Sequence, residues 1–420
     1  MLFDCLILGA GPAGLALAAR LSATGARVLV VDRDSADRGA RNIHLSPLAS
    51  QPVLPTVWKQ LEALGLAAEL RPQVALGAPA GVQIVTCSGQ TVAQVACVDQ
   101  QHFDDDHALP PLAWVSRQSL EQALTKLAIA RGTTILRSTS VLDLSLDPSS
   151  SPRVLLAEDH AEPRWLEVPL VVDASGQQAI VGHHLRLIDP AGGGSHSALV
   201  GLYENASLAS SATSFRTLFL PQHLRSRLWL APQPGGMATV GIVGPRATLL
   251  RDRSSFAELL EDELVECPAL AHCLLSAKMV GPLSVVRATG HKLLRGGGEG
   301  WLAVGDAFET LDPLPGWGVV TALESAAYAA PAILEAIASR TSSAELLTRW
   351  QRAFQAQLAP RKLLLLALAS PGFGVADFLR QFPEHEPILA QLLVAGAVPA
   401  DSSFEEDLAA QLVQLRPTAG

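Results

Sequence analysis

Hydrophobic and polar positions along this chain fall into a few clear patterns. An apolar run from Leu2 to Leu8 leads into the small-residue stretch GAGPAG at Gly9 to Gly14; an Ala- and Leu-rich segment follows, and a second apolar run from Val28 to Val31 ends in Asp32. That order predicts a strand, a tight turn, a helix and a parallel second strand. From Arg33 to Ser50 periodicity fades into a loop carrying Arg38, Arg41, Asn42 and His44, and LPTVWKQLEALGL then predicts a helix with Gly65 near its end. GVQIVTC and TVAQVAC alternate with period two and predict antiparallel strands, where a second domain begins. Ser116 to Gly132 reads as a helix with a serine cap, TTILRSTSVLDLSLD as the entry to a strand pair, and LEVPLVVDASG as a strand ending at Asp173 in a small-residue turn. A long excursion from Gly192 to about Pro282 holds the strand-like FRTLFL, RLWLAP and MATVGIVG and the helical FAELLEDELVECPAL, enough for a sheet roofing a pocket. Gly298 to Leu334 returns with a strand to Gly305-Asp306, a Pro- and Gly-rich loop and a helix, and Ser339 to Gly420 is mostly helical.

The glycines give the first strand-turn-helix its chemistry. At G-x-G-x-x-G spacing, Gly9 permits the tight turn, Gly11 lets the backbone approach a pyrophosphate, and Gly14 lets the helix pack on the sheet. Pro12 and Ala13 lie in the same turn, where unpaired helix N–H groups attract the phosphates. Asp32 ends the second strand where a ribose hydroxyl needs an acceptor, and its charge disfavours a 2′-phosphate; the nucleotide expected is FAD or NAD. Asp306 ends another strand at a carboxyl edge of the sheet, Gly316 and Gly318 free the backbone to approach a flat cofactor, and the helix after them presents a positive end. The fold class expected is α/β. A Rossmann-like domain from residues 1–75, 115–180 and 285–338 is interleaved with a mixed or antiparallel-sheet substrate domain from 76–114 and 181–284, and a helical C-terminal region covers 339–420.

Composition narrows the partners. Lys and Arg number 31 against 40 Asp and Glu, a net charge of -9 without basic clusters, so nucleic acid is not an expected partner. The apolar N-terminal segment runs straight into the glycine motif instead of a cleavage site, which makes the cytoplasm the expected compartment. Cys5, Cys87, Cys97, Cys267 and Cys273 form no C-x-x-C pair and are read as idle or buried thiols, and no metal site is expected. LLLLALASPGFGVADFL is broken at Pro371 and Gly372 before the roughly 20 residues a bilayer span needs, so it reads as a buried helix and integral membrane insertion is not expected.

GAGPAG at Gly9 to Gly14, Asp32, Arg117 in VSRQSLEQAL, VVDASG at Val171 to Gly176 and GDAFETLDPLPGWGV at Gly305 to Val319 come in an order that resembles the flavin-dependent monooxygenases of the p-hydroxybenzoate hydroxylase type. Within that superfamily the chain looks closest to the flavin-halogenase and geranylgeranyl-reductase-like branch, and enzymes that oxidise tryptophan in tryptophylquinone biogenesis are among its relatives. The resemblance implies a glutathione-reductase type of FAD-binding domain. It also implies a cofactor set made of Gly9, Gly11, Pro12, Ala13, Gly14, Asp32, Arg33, Arg41, Arg117, Asp173, Gly176, Gly305, Asp306, Pro313, Gly316, Gly318 and Val319. There is no convincing second G-x-G-x-x-G, since Gly192 to Gly194 are loop-like, so the implied electron source is a reduced nicotinamide without its own domain or a separate flavin reductase.

The chemistry so implied is hydroxylation of a phenol or indole, or of a tryptophan side chain in a peptide or protein, by molecular oxygen through a flavin C4a-hydroperoxide. A halogenase, a geranylgeranyl-reductase-like enzyme and a non-catalytic flavin-binding assembly protein stand as alternatives. The halogenase signature W-x-W-x-I-P is missing, and no lysine lies between Lys59 and Lys126, where the tryptophan-halogenase pattern puts its catalytic one. His44, Trp317 and Pro313 are the candidate catalytic residues; Arg41, His183 and His196 are further candidates for acid-base or substrate-orienting work.

Overall fold

The computed structural model describes residues 2–35, 50–73, 81–96, 113–159, 161–189, 196–206, 215–220, 226–233, 236–245, 249, 256–286, 291–311, 316–341, 343–370, 372–395 and 403–415. Its centre is a six-stranded sheet in the order Gly297–Gly298, Trp301–Ala303, Val171–Asp173, Cys5–Leu8, Val28–Val31, Thr134–Leu136. Every pairing is parallel except the first. The Cys5–Leu8 and Val28–Val31 strands are fully buried, as strands covered on both faces must be, and this explains why they read as unbroken apolar runs. In register, Leu8 lies opposite both Val31 and Asp173, and Asp173 opposite Ala303. Four strand ends therefore open at one edge, releasing Gly9, Asp32, Ala174 and Val304 side by side.

Pro12–Ser22 and Ala344–Ala369 contact strands of this sheet. Pro12–Ser22 packs against Gly318–Ser339, and Leu15, Leu17, Leu323, Ala326 and Ile333 are buried in the shared core. Gly318–Ser339 is long and apolar enough in composition to cross a membrane; its largely buried surface is that of a core helix. Arg117–Ala130 packs against Pro12–Ser22 and starts at Ser116, whose Oγ accepts from the Ser119 N–H at 2.9 Å. Pro55–Leu64 ends at Gly65, which takes a left-handed φ of 82°.

The second sheet is mixed. Its strands run in the order Lys278–Met279, His196–Glu204, Met237–Pro245, Arg227–Gln233, Phe215–Leu220, Gly81–Thr86, Thr91–Ala96, and Ser284–Val286 also pairs with His196–Glu204. Gly81–Thr86 forms the expected antiparallel hairpin with Thr91–Ala96, and on its other edge it runs parallel to Phe215–Leu220. Period-two alternation sends Ile84, Leu218, Trp229 and Val200 into the core shared with the first sheet, and Val85, Phe219, Leu228, Leu230 and Leu199 into a smaller core on the outer face. A methyl group on Gly241 would overlap the Trp229 ring, so the indole lies flat across that glycine.

One expected strand is two elements. Arg164–Glu167 belongs to an antiparallel meander with Arg153–Glu158 and Thr139–Ser145, whereas Val171–Asp173 joins the central sheet; Pro169, without an N–H, stands between them. C-terminal helices at Ala344–Ala369, Val375–Gln381, Glu386–Ala395 and Phe404–Gln414 complete the α/β fold. Among them His385 is buried against Phe378, Phe382 and Phe404, and its Nε2 lies 2.8 Å from Asp407 Oδ2.

Candidate active site

The open strand ends form a cleft of about 480 Å³, lined by Gly9, Gly11, Pro12, Ala13, Asp32, Arg33, Arg117, Gly176, Asp306, Gly318 and Val319 among others. These all come from the expected cofactor set, gathered from segments more than 300 residues apart. Its floor is built by glycine where side chains will not fit. Gly9 has φ 109°, and a Cβ there would lie 2.5 Å from the Ala174 carbonyl oxygen. Gly14 lies beneath the floor, where a Cβ would overlap the Gly9 carbonyl oxygen. A Cβ on Gly11, by contrast, would meet nothing within 4 Å, nor would one on Gly176 or Gly318. The backbone is thus bare on the cleft side and crowded on the other, a cradle for a ligand that approaches the chain closely.

Charge follows the same geometry. The N-terminal ends of Pro12–Ser22 and Gly318–Ser339 both reach the cleft, so two sets of unpaired N–H groups and two positive helix ends face one volume. Asp32 accepts from the Ala10 N–H at 2.6 Å through Oδ2 and from the Asp34 N–H at 2.7 Å through Oδ1, and Arg137 Nη1 lies 3.7 Å from Oδ2. These bonds lock the carboxylate to the glycine turn, and each oxygen keeps acceptor capacity for a ribose hydroxyl. Arg117 holds Glu121 at 2.6 Å. Gly305 turns the chain after Ala303 with φ 59° and donates its N–H to Ser325 Oγ at 2.8 Å, which fixes the turn carrying Asp306. Burial pushes the Asp306 carboxyl up to about 6, and the nearby Arg117 charge opposes that rise.

Two expected site residues do other work. Asp173 is fully buried: its Oδ1 accepts from the Ser175 N–H at 3.0 Å and from Ser175 Oγ at 2.6 Å, and its Oδ2 from the Val181 N–H at 2.7 Å. Burial raises its pKa against those donors, and the side chain ties the 174–181 turn under the cleft instead of lining it. Trp317 does not line the cleft either. Its ring is fully buried in the main core, its carbonyl accepts from the Thr321 N–H and hydroxyl, and its Nε1 is buried with no hydrogen-bond partner among the described residues. Gly316 has φ 77° beside it, outside the lining. Arg41, His44 and Pro313 lie outside the described residues, as do Arg38, Asn42, Cys97 and Gly192 to Gly194. His183 lies in the last turn of the short Ile180–His184 helix, and His196 begins a strand of the second sheet.

The sequence reading missed one wall of the cleft. Thr139, Ser140 and Val141 line it beyond Asp32, and the Thr139 N–H donates to the Asp32 carbonyl at 2.9 Å. The available signal was Thr134–Leu136, a short edge strand parallel to Val28–Val31 whose chain continues past the same carboxyl edge. Asp34, Ser175, Gln178, Ile180 and Ala322 are among the other lining residues outside the expected set.

Glycine turn, strand-end acid and paired helix N-termini at the carboxyl edge of a parallel sheet define a dinucleotide-binding flavoprotein. The profile of the FAD binding domain family matches residues 3–226, and the chain belongs to that family, in the p-hydroxybenzoate hydroxylase type of flavin monooxygenase superfamily; it is an FAD-dependent oxidoreductase. It is 22% identical over 368 residues to the 1H-pyrrole-2-carbonyl-[peptidyl-carrier protein] chlorinase of Pseudomonas fluorescens, covering 83% of this chain and 79% of that one. It is 23% identical to the digeranylgeranylglycerophospholipid reductase of Methanothrix thermoacetophila, covering 85% of each. The solved structure of a flavin-dependent brominase superposes with a TM-score of 0.78 at 17% identity, covering 98% of both chains, a likeness of fold.

The cleft fits FAD by its bare glycine floor, paired helix ends and ribose-height carboxylate. Asp306 yields a pH prediction. Its raised pKa means that ionisation costs more in the folded apoprotein than in the unfolded chain, so apoprotein stability falls as pH rises from the usual carboxylate range through about 6. Asp306→Asn removes that cost. The apoprotein variant is expected to gain about 3 kcal/mol above pH 7 and close to nothing near pH 3, read as thermal midpoints, while FAD is held less tightly. Equal midpoint shifts at both pH values would refute the assignment.

Proposed function

We propose that the protein is an FAD-dependent monooxygenase that hydroxylates an aromatic ring. The observation that carries this reading is the face of the eight-stranded sheet turned toward the flavin domain, where Ile84, Val200, Leu218 and Trp229 share one core with the strands that build the cleft. None of these side chains lines the cleft; the apolar core they form with the flavin strands keeps water from the boundary between the two sheets, surroundings that suit a substrate which is itself apolar. Bound FAD supplies the redox chemistry, passing electrons from a reduced nicotinamide, or from reduced flavin delivered by a separate reductase, to molecular oxygen. Asp32 would hold the adenosine ribose, the N–H groups of Gly11 and Ala13 would meet the pyrophosphate, and Asp306 would accept from the ribityl or pyrophosphate region, with Arg117 near it. The helix end at Gly318 and Val319 offers positive potential where a reduced flavin ring carries negative charge. A phenol, an indole, or a tryptophan side chain in a peptide that matures into a quinone cofactor falls within this chemistry.

Halogenation is the second reading. It draws on the similarity to the pyrrole-carbonyl chlorinase and on the shared fold of the brominase. The absence of lysine between Lys59 and Lys126 counts against the tryptophan-halogenase form of it. A single experiment separates them: the holoenzyme is reduced without oxygen, then mixed with oxygen and a phenol, an indole or a tryptophan peptide, with and without bromide, and the products are weighed by mass spectrometry. A product heavier by one oxygen, in equal yield without bromide, is the expected result. A brominated product transfers the assignment to halogenation, and hydrogen peroxide alone with every ring overturns the aromatic reading.

A further inference from the structure

The cysteines that lie scattered in sequence are not scattered in space. Cys87 sits in the tight turn between Gly81–Thr86 and Thr91–Ala96, and Cys267 immediately precedes the Pro268–Cys273 helix. The Ala269 N–H donates to the Cys87 carbonyl at 2.9 Å, and a Cβ on Gly89 would stand 3.6 Å from Ala269 Cβ, so the two segments run in contact. Across this contact the two thiols lie close enough to shift each other's ionisation, and both pack into the same core. Both belong, with Cys273, to the small core on the outer face of the eight-stranded sheet, and neither lines the flavin cleft. Cys87 is partly exposed and Cys267 is buried, both with free thiols.

We propose that Cys87 and Cys267 form a redox-modification site that closes to a disulfide when hydrogen peroxide reaches it. The neighbouring Cys87 thiol and the Leu270 N–H favour the thiolate on Cys267 against its burial and the Glu263 charge, while the Cys267 contact and burial hold the Cys87 proton in place. Peroxide enters past Cys87. The Cys267 thiolate attacks one peroxide oxygen, the O–O bond breaks, and hydroxide leaves, giving a sulfenic acid on Cys267. That hydroxide takes the Cys87 proton and becomes water. The Cys87 sulfur then attacks the Cys267 sulfur, the S–S bond forms, the S–O bond breaks, and a second hydroxide departs. Two electrons have left the sulfurs, and peroxide has been reduced to water and hydroxide.

The bond staples a strand turn to a helix start far along the chain, closing a long loop in the unfolded state, so the oxidised protein is the more stable form. The test uses the intact holoprotein. It is treated with a slight excess of hydrogen peroxide, alkylated, digested without reductant and mapped by mass spectrometry. The expected result is a peptide pair linked Cys87 to Cys267 in most molecules, undone by dithiothreitol, with a rise in thermal midpoint of about 5 °C that Cys87→Ser abolishes. Mapping the wild-type chain does not depend on how the variant folds. Separately alkylated Cys87 and Cys267, sulfonic acid on either one, or a link from either to Cys97 or Cys273 would overturn the proposal.

Discussion

Gly14→Val is expected to produce protein that carries no flavin. Even a methyl group at this position overlaps the Gly9 carbonyl oxygen and stands 3.2 Å from Ala174 Cβ. Neither neighbour can retreat. Gly9 is fixed by its N–H bond to the Val31 carbonyl at 2.8 Å, and Ala174 by its N–H bond to the Leu8 carbonyl at 2.9 Å. The Pro12–Ser22 helix must lift instead, which unpacks Leu15, Leu17 and Leu21 from the core and withdraws its N–H groups from the cleft. Overpacking of this kind costs about 1–3 kcal/mol, and a branched side chain on a buried helix start sits at or above the upper end. Gly11→Ala is the informative control. Its Cβ meets no protein atom within 4 Å, so the apoprotein should melt as the wild type does, yet the methyl occupies space a pyrophosphate needs. Flavin absorbance per chain and the apoprotein thermal midpoint read the two effects separately. Gly14→Val should lower both, and Gly11→Ala should lower FAD affinity by at least about tenfold while leaving the midpoint unchanged. Full flavin occupancy in Gly11→Ala would remove the pyrophosphate from this turn.

Local spacing made the nucleotide half legible. Gly9, Gly11, Gly14 and Asp32 lie within one strand-turn-helix-strand unit, so chain connectivity alone brings them together. Asp306 was legible because an acid after an apolar strand and before a glycine-rich loop marks a carboxyl edge, and the sheet order places it in the same cleft. Asp173 carries the same mark in sequence but bonds its own turn and lies outside the cleft lining. A strand-end acid looks alike in sequence whether it faces a ligand or accepts the N–H groups of its own turn, and only Ser175 and Val181 decide which. Trp317 looked like a cleft residue because its loop is rich in glycine; its ring is instead the plug beneath the Gly318–Ser339 helix start. Thr139 to Val141 and the Cys87–Cys267 contact depend on pairings between distant segments, which no local pattern encodes.

The other large effect is expected at a residue pair that the sequence does not advertise. Glu324 sits in the Ala-rich run of the Gly318–Ser339 helix and Arg361 follows Pro360 in the middle of Ala344–Ala369, and both are buried. Arg361 Nη1 donates to Glu324 Oε2 at 2.8 Å and Nη2 to Oε1 at 3.1 Å, a two-pronged pair that joins the helices in the core. Removing either partner takes away the charge that compensates the other in the core, so Arg361→Met or Glu324→Gln is expected to cost about 3–5 kcal/mol. Replacing both, as in Glu324→Leu with Arg361→Met, removes both charges and should recover most of that loss. Urea denaturation of the three variants measures the difference, and a double variant as unstable as the sum of the singles would mean that the pair is not what joins these helices. The consequence reaches the cofactor. Gly318 and Val319 open the helix that Glu324 anchors, and they line the flavin cleft. A helix loosened at Glu324 no longer holds its positive end at the cleft, so the single variants should also bind FAD more weakly, and the double variant should regain affinity together with stability.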